Sequence, residues 1–299
     1  MAKTKEISRR IKSISSTKKI TKAMEMVAAA KMRKATEAVL KTRAYANLSW
    51  ETILNLSHLA ETKKQDLHPL LNKRQEAKRM ALILITSNRG LCGAYNTAVI
   101  AKAKEAIKKN NLPTDIVLVG KKGAILHHQG YEIVAEFPKS DLITDSKETN
   151  PIARLLINDF LSGKYDRVML AYTDFINPVK QVPRVKQILP VEIDKKDDSL
   201  GVIDGAGVST ENVVCEYTFE PNPAEVLNRM IPKLIEVQLY QALLESSAAE
   251  HSASMASMHQ ATEAATDMVS ELTLYYNKAR QASITAEIAE ISAGANALS

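Results

Sequence analysis

From Lys233 to Ser292 the chain runs sixty residues without a glycine or a proline. A segment with no breaker and many strong helix formers is expected to be one long helix. Alanines recur through it, at Ala242, Ala248, Ala249, Ala253, Ala256, Ala261, Ala264 and Ala265. At about 1.5 Å per residue such a helix is roughly 90 Å long. That exceeds the diameter of a small domain, so most of it is expected to be buried against something other than the chain's own core. Met258, Thr262, Ala265, Val269, Leu272, Tyr276 and Ala279 alternate steps of four and three. This is the spacing of a coiled-coil seam, narrower than the stripe of an ordinary core helix. The last residues, Ile284 to Leu298, carry no charged side chain after Glu290, which leaves a bare tip of small and apolar groups from Ile291.

Residues 1–68 also lack glycine and proline, and a second long helix is expected there, ending before Pro69. Ile7, Ile11 and Ile14, then Ile20, Met24 and Val27, follow four–three steps, with a stutter across Ser15 to Lys19. Leu48, Leu54, Leu56 and Leu59 continue with looser phasing. The net charge of +6 hides an asymmetry. Residues 1–43 hold thirteen Lys and Arg against three Glu, whereas residues 224–299 hold nine acids against four bases. A basic helix often marks a nucleic-acid or other anionic partner. Here the simpler account is the acidic helix at the other end of the chain, with surplus positive charge for a further partner. The two helices are expected to pair as an intramolecular antiparallel coiled coil; an intermolecular dimer is the alternative.

Between them the pattern changes. Met80 to Thr86 is a short buried strand, followed by a loop, Ser87 to Asn96, and a helix over about Thr97 to Lys109. Strand Asp115 to Val119, a turn at Gly120–Gly123 with a short helix, strand Tyr131 to Ala135, helix Ile152 to Leu161 and strand Arg167 to Tyr172 follow. Alternating strand and helix argue an α/β domain with a mostly parallel sheet. Gln181 to Leu189 and Val213 to Phe219 add strands expected as antiparallel edges, and Asp194 to Thr210 reads as an exposed loop. The fold class is α/β plus a long antiparallel helical coiled coil. Its parts are an N-terminal helix (1–68), a Rossmann-like globular domain (73–220) and a C-terminal helix (224–299).

The usual chemistry finds little support. The loop Asn88-Arg-Gly-Leu-Cys-Gly-Ala-Tyr95 lies where phosphates are often held, but it matches neither the dinucleotide nor the P-loop fingerprint. Gly90 and Gly93 fit a tight strand-to-helix turn. Cys92 near a helix N-terminus has the position of an activated thiol, yet no histidine lies near it in sequence. His127 and His128, and the pair His251 and His259, lack a third and fourth ligand at metal spacing. No catalytic residue, cofactor or metal site is therefore expected. Cys92 and Cys215 are far apart with no CxxC spacing, as in a reducing compartment. The longest wholly apolar run, Met80 to Ile85, is too short to span a membrane. Glu6 and Glu25 argue against a transit peptide at the basic start.

Three stretches resemble one family, the gamma subunit of F-type ATP synthases. Ile284-Thr-Ala-Glu-Ile-Ala-Glu-Ile-Ser-Ala-Gly-Ala-Asn-Ala297 is similar to that family's C-terminal signature, with Thr285, Glu287, Glu290, Gly294 and Ala295 at matching places. Ile20 to Arg33 resembles its first-helix motif, and Ser87-Asn-Arg-Gly-Leu-Cys-Gly93 its Ser-Asp-Arg-Gly-Leu-Cys-Gly. Asn88 replaces the usual Asp and Ala94 a common Gly, which weakens any function for that loop. No cysteine pair interrupts Asp174 to Leu189, which favours a bacterial type without a thiol switch. The resemblance implies a non-catalytic central rotor, peripheral on the cytoplasmic side of the cell membrane. Its implied partners are the alpha and beta subunits, epsilon and the c ring, with no nucleic acid. It implies beta contacts at Met24, Arg33, Arg280, Gln281, Thr285, Glu287 and Glu290. Epsilon or ring contacts are implied at Glu216, Tyr217 and Thr218 and in the 194–210 loop. Arg9, Arg10, Arg33 and Lys34 would suit an acidic surround.

Overall fold

The computed structural model describes residues 2–61, 68–71, 77–141, 143, 148–191 and 223–298. The expected strand Val213–Phe219, the 194–210 loop, Cys215 and the candidate contacts Glu216, Tyr217 and Thr218 lie outside the described residues, as do the side chains of Leu54, Leu56 and Leu59. Both breaker-free stretches are helical: α1 spans Ala2–Glu61 and α4 spans Pro223–Leu298. The chain forms two compact units, Met1–Ala29 with Ser254–Ser299, and Ala30–Ala253.

The Ala30–Ala253 unit is built on a five-stranded sheet. Its strands are β1 (Met80–Ile85), β2 (Thr114–Val119), β3 (Glu132–Phe137), β4 (Arg167–Phe175) and β5 (Gln181–Leu189), in the order β3-β2-β1-β4-β5. All neighbours run parallel except β5, which returns antiparallel to β4 as an edge. The antiparallel edge at Gln181–Leu189 is thus where its sequence placed it. Central β1 is buried at every position, as its unbroken apolar run requires for a strand covered on both faces. The period of two then sorts its side chains. Leu82 and Leu84 pack with Val99, Ile100 and Ala103 of α2 (Tyr95–Asn110) and with Leu126 of a 3-10 helix (Lys121–Gln129). Ala81, Ile83 and Ile85 pack on the opposite side with α3 (Asn150–Leu161), the later part of α1 and the early part of α4.

On that second face α3 presents Ile152, Ala153, Leu156 and Phe160, one stripe at helical spacing. The helix α4 contributes Leu227, Ile231, Leu234, Ile235, Leu239 and Leu243, each worth about 1.5–3 kcal/mol if fully withdrawn from water. From Gln241 to Ala249 it is buried on all sides. Its small residues there, Ala242, Ser246, Ser247, Ala248 and Ala249, let the neighbouring backbone close in. Two larger polar side chains, Gln241 and Glu245, are carried inside with them.

Candidate partner interface on the helical unit

In the unit of Met1–Ala29 and Ser254–Ser299 the helices run antiparallel. Thr262 Oγ1 lies 2.8 Å from Thr21 Oγ1, and His259 Nδ1 lies 3.3 Å from Glu25 Oε1, so the partner number falls on α4 as it rises on α1. Along α4 the withdrawn positions are Met258, Thr262 and Ala265, buried, then Val269, Leu272, Tyr276 and Ala279, half-buried. These are the seam that the four–three spacing predicts.

The α1 side corrects the sequence reading. Its withdrawn positions include Ile7, Ile11, Ile14, Lys18, Thr21, Glu25 and Ala28, which keep one heptad phase through Ser15–Lys19, with Ser15 half-buried beside them. Ile20, Met24 and Val27 instead point outward, 61%, 39% and 55% exposed. A stutter would have unwound the pair locally to bring them in. The helix holds its phase because the polar seam residues find partners. Thr21 Oγ1 donates to the Lys18 carbonyl at 3.1 Å. Thr262 Oγ1 shares its one proton between the Met258 carbonyl and Thr21, each at 2.8 Å. Glu25 accepts from Lys22 at 2.9 Å. That bond, against partial burial and with help from His259, holds the Glu25 carboxyl below its usual range.

What faces outward is apolar as well as charged. Met26, Met268, Leu274, Tyr275, Ile284, Ile288 and Ile291 are each about half exposed or more. Spaced singly they would need no explanation, but on paired helices they form recurring apolar ground at positions outside the seam. Met268 and Tyr275, one heptad apart, were missed from sequence; apolar residues off the seam phase were the available signal.

The candidate beta-contact residues are all exposed. Arg280, Gln281, Thr285, Glu287 and Glu290 are exposed on α4 within three turns of one another. The pairing register puts the start of α1 opposite about Gln281, and from Ile284 onward every residue whose side chain is described is exposed. Met24 does not join that cluster. It lies opposite about His259–Gln260, some twenty residues from Arg280, or roughly 30 Å of helix. Arg33 lies in the other unit, exposed on α1. Among the basic residues of α1, Lys5, Arg9, Arg10, Lys12, Lys19 and Lys22 are exposed, and Arg10 and Lys22 pair within the helix, with Glu6 and Glu25.

The loop after β1, by contrast, is occupied with itself. The Asn96 side chain accepts from the Ser87 backbone at 3.0 Å and donates to Ser87 Oγ at 2.7 Å. Asn88 Nδ2 donates to the Lys139 carbonyl at 2.6 Å. Leu91 and Gly93 take positive φ, 65° and 53°, to make the tight turn. Cys92 is 2% exposed, and burial pushes its thiol pKa up, the reverse of an activated nucleophile. His127 and His128 stand on the surface, and His251 is buried with Nε2 3.1 Å from the Asp141 carbonyl. Among the described residues no group of three His, Cys, Asp or Glu could hold a metal ion, and no helix is long and apolar enough to cross a membrane.

Comparison with known proteins agrees with this arrangement. The ATP synthase family model matches residues 3–298. The "ATP synthase gamma chain" of Symbiobacterium thermophilum is 40% identical over 297 residues, covering 98% of each chain. That of Pelotomaculum thermopropionicum is 40% identical over the full length of both. Among solved structures, a chain of the Euglena gracilis mitochondrial ATP synthase (OSCP/F1/c-ring) superposes with TM-score 0.65 at 18% identity, over 99% of this chain and 95% of that one. A chain of the Tetrahymena thermophila mitochondrial ATP synthase central stalk/c-ring gives 0.59 at 23% identity, over 81% and 99%. At such identities the likeness is one of fold.

Proposed function

The chain belongs to the ATP synthase gamma-chain family, and from that we propose that it is the central-stalk rotor of a bacterial-type enzyme. One observation carries this: a helix pair with a partly polar seam whose outer surface carries large apolar as well as charged side chains, and whose last residues, from Ile284, are exposed wherever their side chains are described. Such a surface calls for a surround. The surround we propose is the ring of alpha and beta subunits, with Arg280, Gln281, Thr285, Glu287 and Glu290 as polar contacts to beta near the tip. Met24 and Arg33 would be separate contacts elsewhere on α1. The α/β domain (73–220), between the helices 1–68 and 224–299, would be the foot on epsilon and the c ring, in part through Glu216, Tyr217 and Thr218.

In this function the chain does no chemistry itself. Rotation driven by ion flow through the ring would turn an asymmetric shaft inside three equivalent sites. Each site would meet a different face and be biased toward a different state. The exposed bases of α1 suit acidic surfaces on the surrounding subunits. The complex would place the chain peripherally on the cytoplasmic side of the cell membrane.

The test is ATP hydrolysis by the matching alpha and beta subunits, assembled with and without this chain. Addition is expected to raise turnover strongly, and deletion of residues 280–299 to abolish the gain together with a stable complex. Retained gain after that deletion would move the coupling contacts toward Met24. If no complex forms and the chain sediments as a concentration-dependent dimer, a dimerising scaffold replaces the rotor.

A further inference from the structure

The enclosed stretch of α4 brings together buried ionisable groups that a rotor function leaves unused. Glu245 has a side chain 4% exposed and accepts a hydrogen bond from Gln241 Nε2 at 2.8 Å. Its cation is Arg43 of α1, whose Nη2 stands 3.4 Å away, longer than a well-formed ion pair. Facing it from β4 is Asp174, 1% exposed at its side chain, with Arg184 Nε of β5 at 2.8 Å. The remaining charged group here is Lys186 of β5, which lines a small void with Glu245, Gln241 and Tyr172. That void shares Tyr172, Lys186, Ile188 and Gln238 with a cleft of about 640 Å³ between α2 and β5.

Two carboxylates within one another's field and out of water cannot both ionise cheaply. We propose that Glu245 and Asp174 form a proton-binding site, which holds one proton between the two carboxyls in the folded chain. Its charge state would set how tightly α1, α4 and β4 are held together. The site stands on the packing of the Ala30–Ala253 unit and is independent of the rotor assignment. Burial first, and then the negative charge of Asp174, raise the Glu245 pKa to about 7, while Gln241 and Arg43 pull it the other way.

The direction of the pH effect follows. A carboxyl whose folded-state pKa lies above its unfolded value binds its proton better in the folded chain. Its stabilisation is greatest on the acid side and is lost as pH rises from about 4.5 through about 7. At pH 6 folding should take up about one proton more in the wild type than in Glu245→Gln. His68 and His251, both pushed down by burial, titrate with the opposite sign. The wild-type-minus-variant difference therefore isolates the site.

The experiment is a carboxyl carbon NMR titration of the full chain labelled at Glu and Asp, with melting temperature followed over pH 5–8. One glutamate is expected to titrate far above the others, to vanish in Glu245→Gln and to shift down in Asp174→Asn. The Glu245→Gln chain should lose the fall in melting temperature that the wild type shows, relative to it, between pH 6 and 8. The proposal is overturned if every glutamate titrates in the ordinary range, if the high-pKa signal survives Glu245→Gln, or if the two melting profiles run parallel. Should Glu245→Gln not fold, the wild-type spectrum and the Asp174→Asn shift decide.

Discussion

Lys139 tests most directly how the loop after β1 is tied to α4. Its side chain is 2% exposed and its ammonium lies 2.6 Å from Glu250 Oε2, itself 18% exposed. The Tyr95 ring lies 5.7 Å from the same nitrogen. Burial alone would pull the Lys139 pKa down, but Tyr95 and Glu250 more than offset it, and the pKa is raised. The charge therefore persists at neutral pH. Glu250→Ala strips the carboxylate and leaves a buried ammonium with only Tyr95 beside it, a loss of about 3–5 kcal/mol. For a unit of this size each kcal/mol moves the melting temperature by about 2–4 °C, so a fall of roughly 6–20 °C is expected. Replacing both partners with apolar groups, Lys139→Met with Glu250→Leu, removes the orphaned charge and should recover most of that loss. Urea unfolding followed by far-ultraviolet circular dichroism measures both, with an unchanged slope as the check that the same surface unfolds. A single-variant cost under about 1 kcal/mol, or a double variant as unstable as the single, would refute the reasoning.

Two further changes probe the sheet and the seam. Gly120 has φ 92° and ψ 153°, and a Cβ there would sit 2.3 Å from the Thr86 carbonyl oxygen. Gly120→Ala combines a glycine-only backbone conformation with a backbone clash, and should cost at least about 3 kcal/mol in urea unfolding; a cost under about 1 kcal/mol would mean that the β2 end relaxes freely. Ala265 is 6% exposed in the seam, so Ala265→Trp should weaken helix pairing by about 1–3 kcal/mol through overpacking. An unchanged melting temperature would place the seam elsewhere.

The long helices and the alternating strands were legible because each depends on a local signal. Absence of breakers gives α1 and α4, a short unbroken apolar run gives β1, and the four–three steps give the α4 seam. The α1 phase was misread for a physical reason. Ile20, Met24 and Val27 look like seam residues by hydrophobicity, whereas Thr21 and Glu25 hold the seam by hydrogen bonds that only a facing Thr262 and His259 reveal. Likewise Glu245 sits among Leu244, Ser246 and Ser247. No local pattern says that this stretch is enclosed on every side, or that Asp174, seventy-one residues earlier, faces it. Such proximity is set by sheet topology.

The two units also differ in what holds them. Between Ile231 and Ala249 the helix α4 buries leucine, isoleucine and valine side chains in the sheet domain, each a large apolar contribution. In the Met1–Ala29 and Ser254–Ser299 unit the residues withdrawn most fully are Ala28, Met258, Thr262 and Ala265. Two alanines and a threonine among these four return little apolar burial, and the larger seam residues, Ile7, Ile11, Ile14, Val269, Leu272 and Tyr276, are only half-buried. Its most exposed large apolar residues, among them Ile20, Met26, Met268, Tyr275 and Ile288, lie outside the seam, where they bury little. For the proposed shaft turning in a collar this division would be useful. Small seam residues let the two backbones pack closely, and apolar outer side chains carry no directional bonds that rotation would have to break. In the proposed rotor the charged residues near the tip, Arg280, Glu287 and Glu290, would be few enough to register position without locking it.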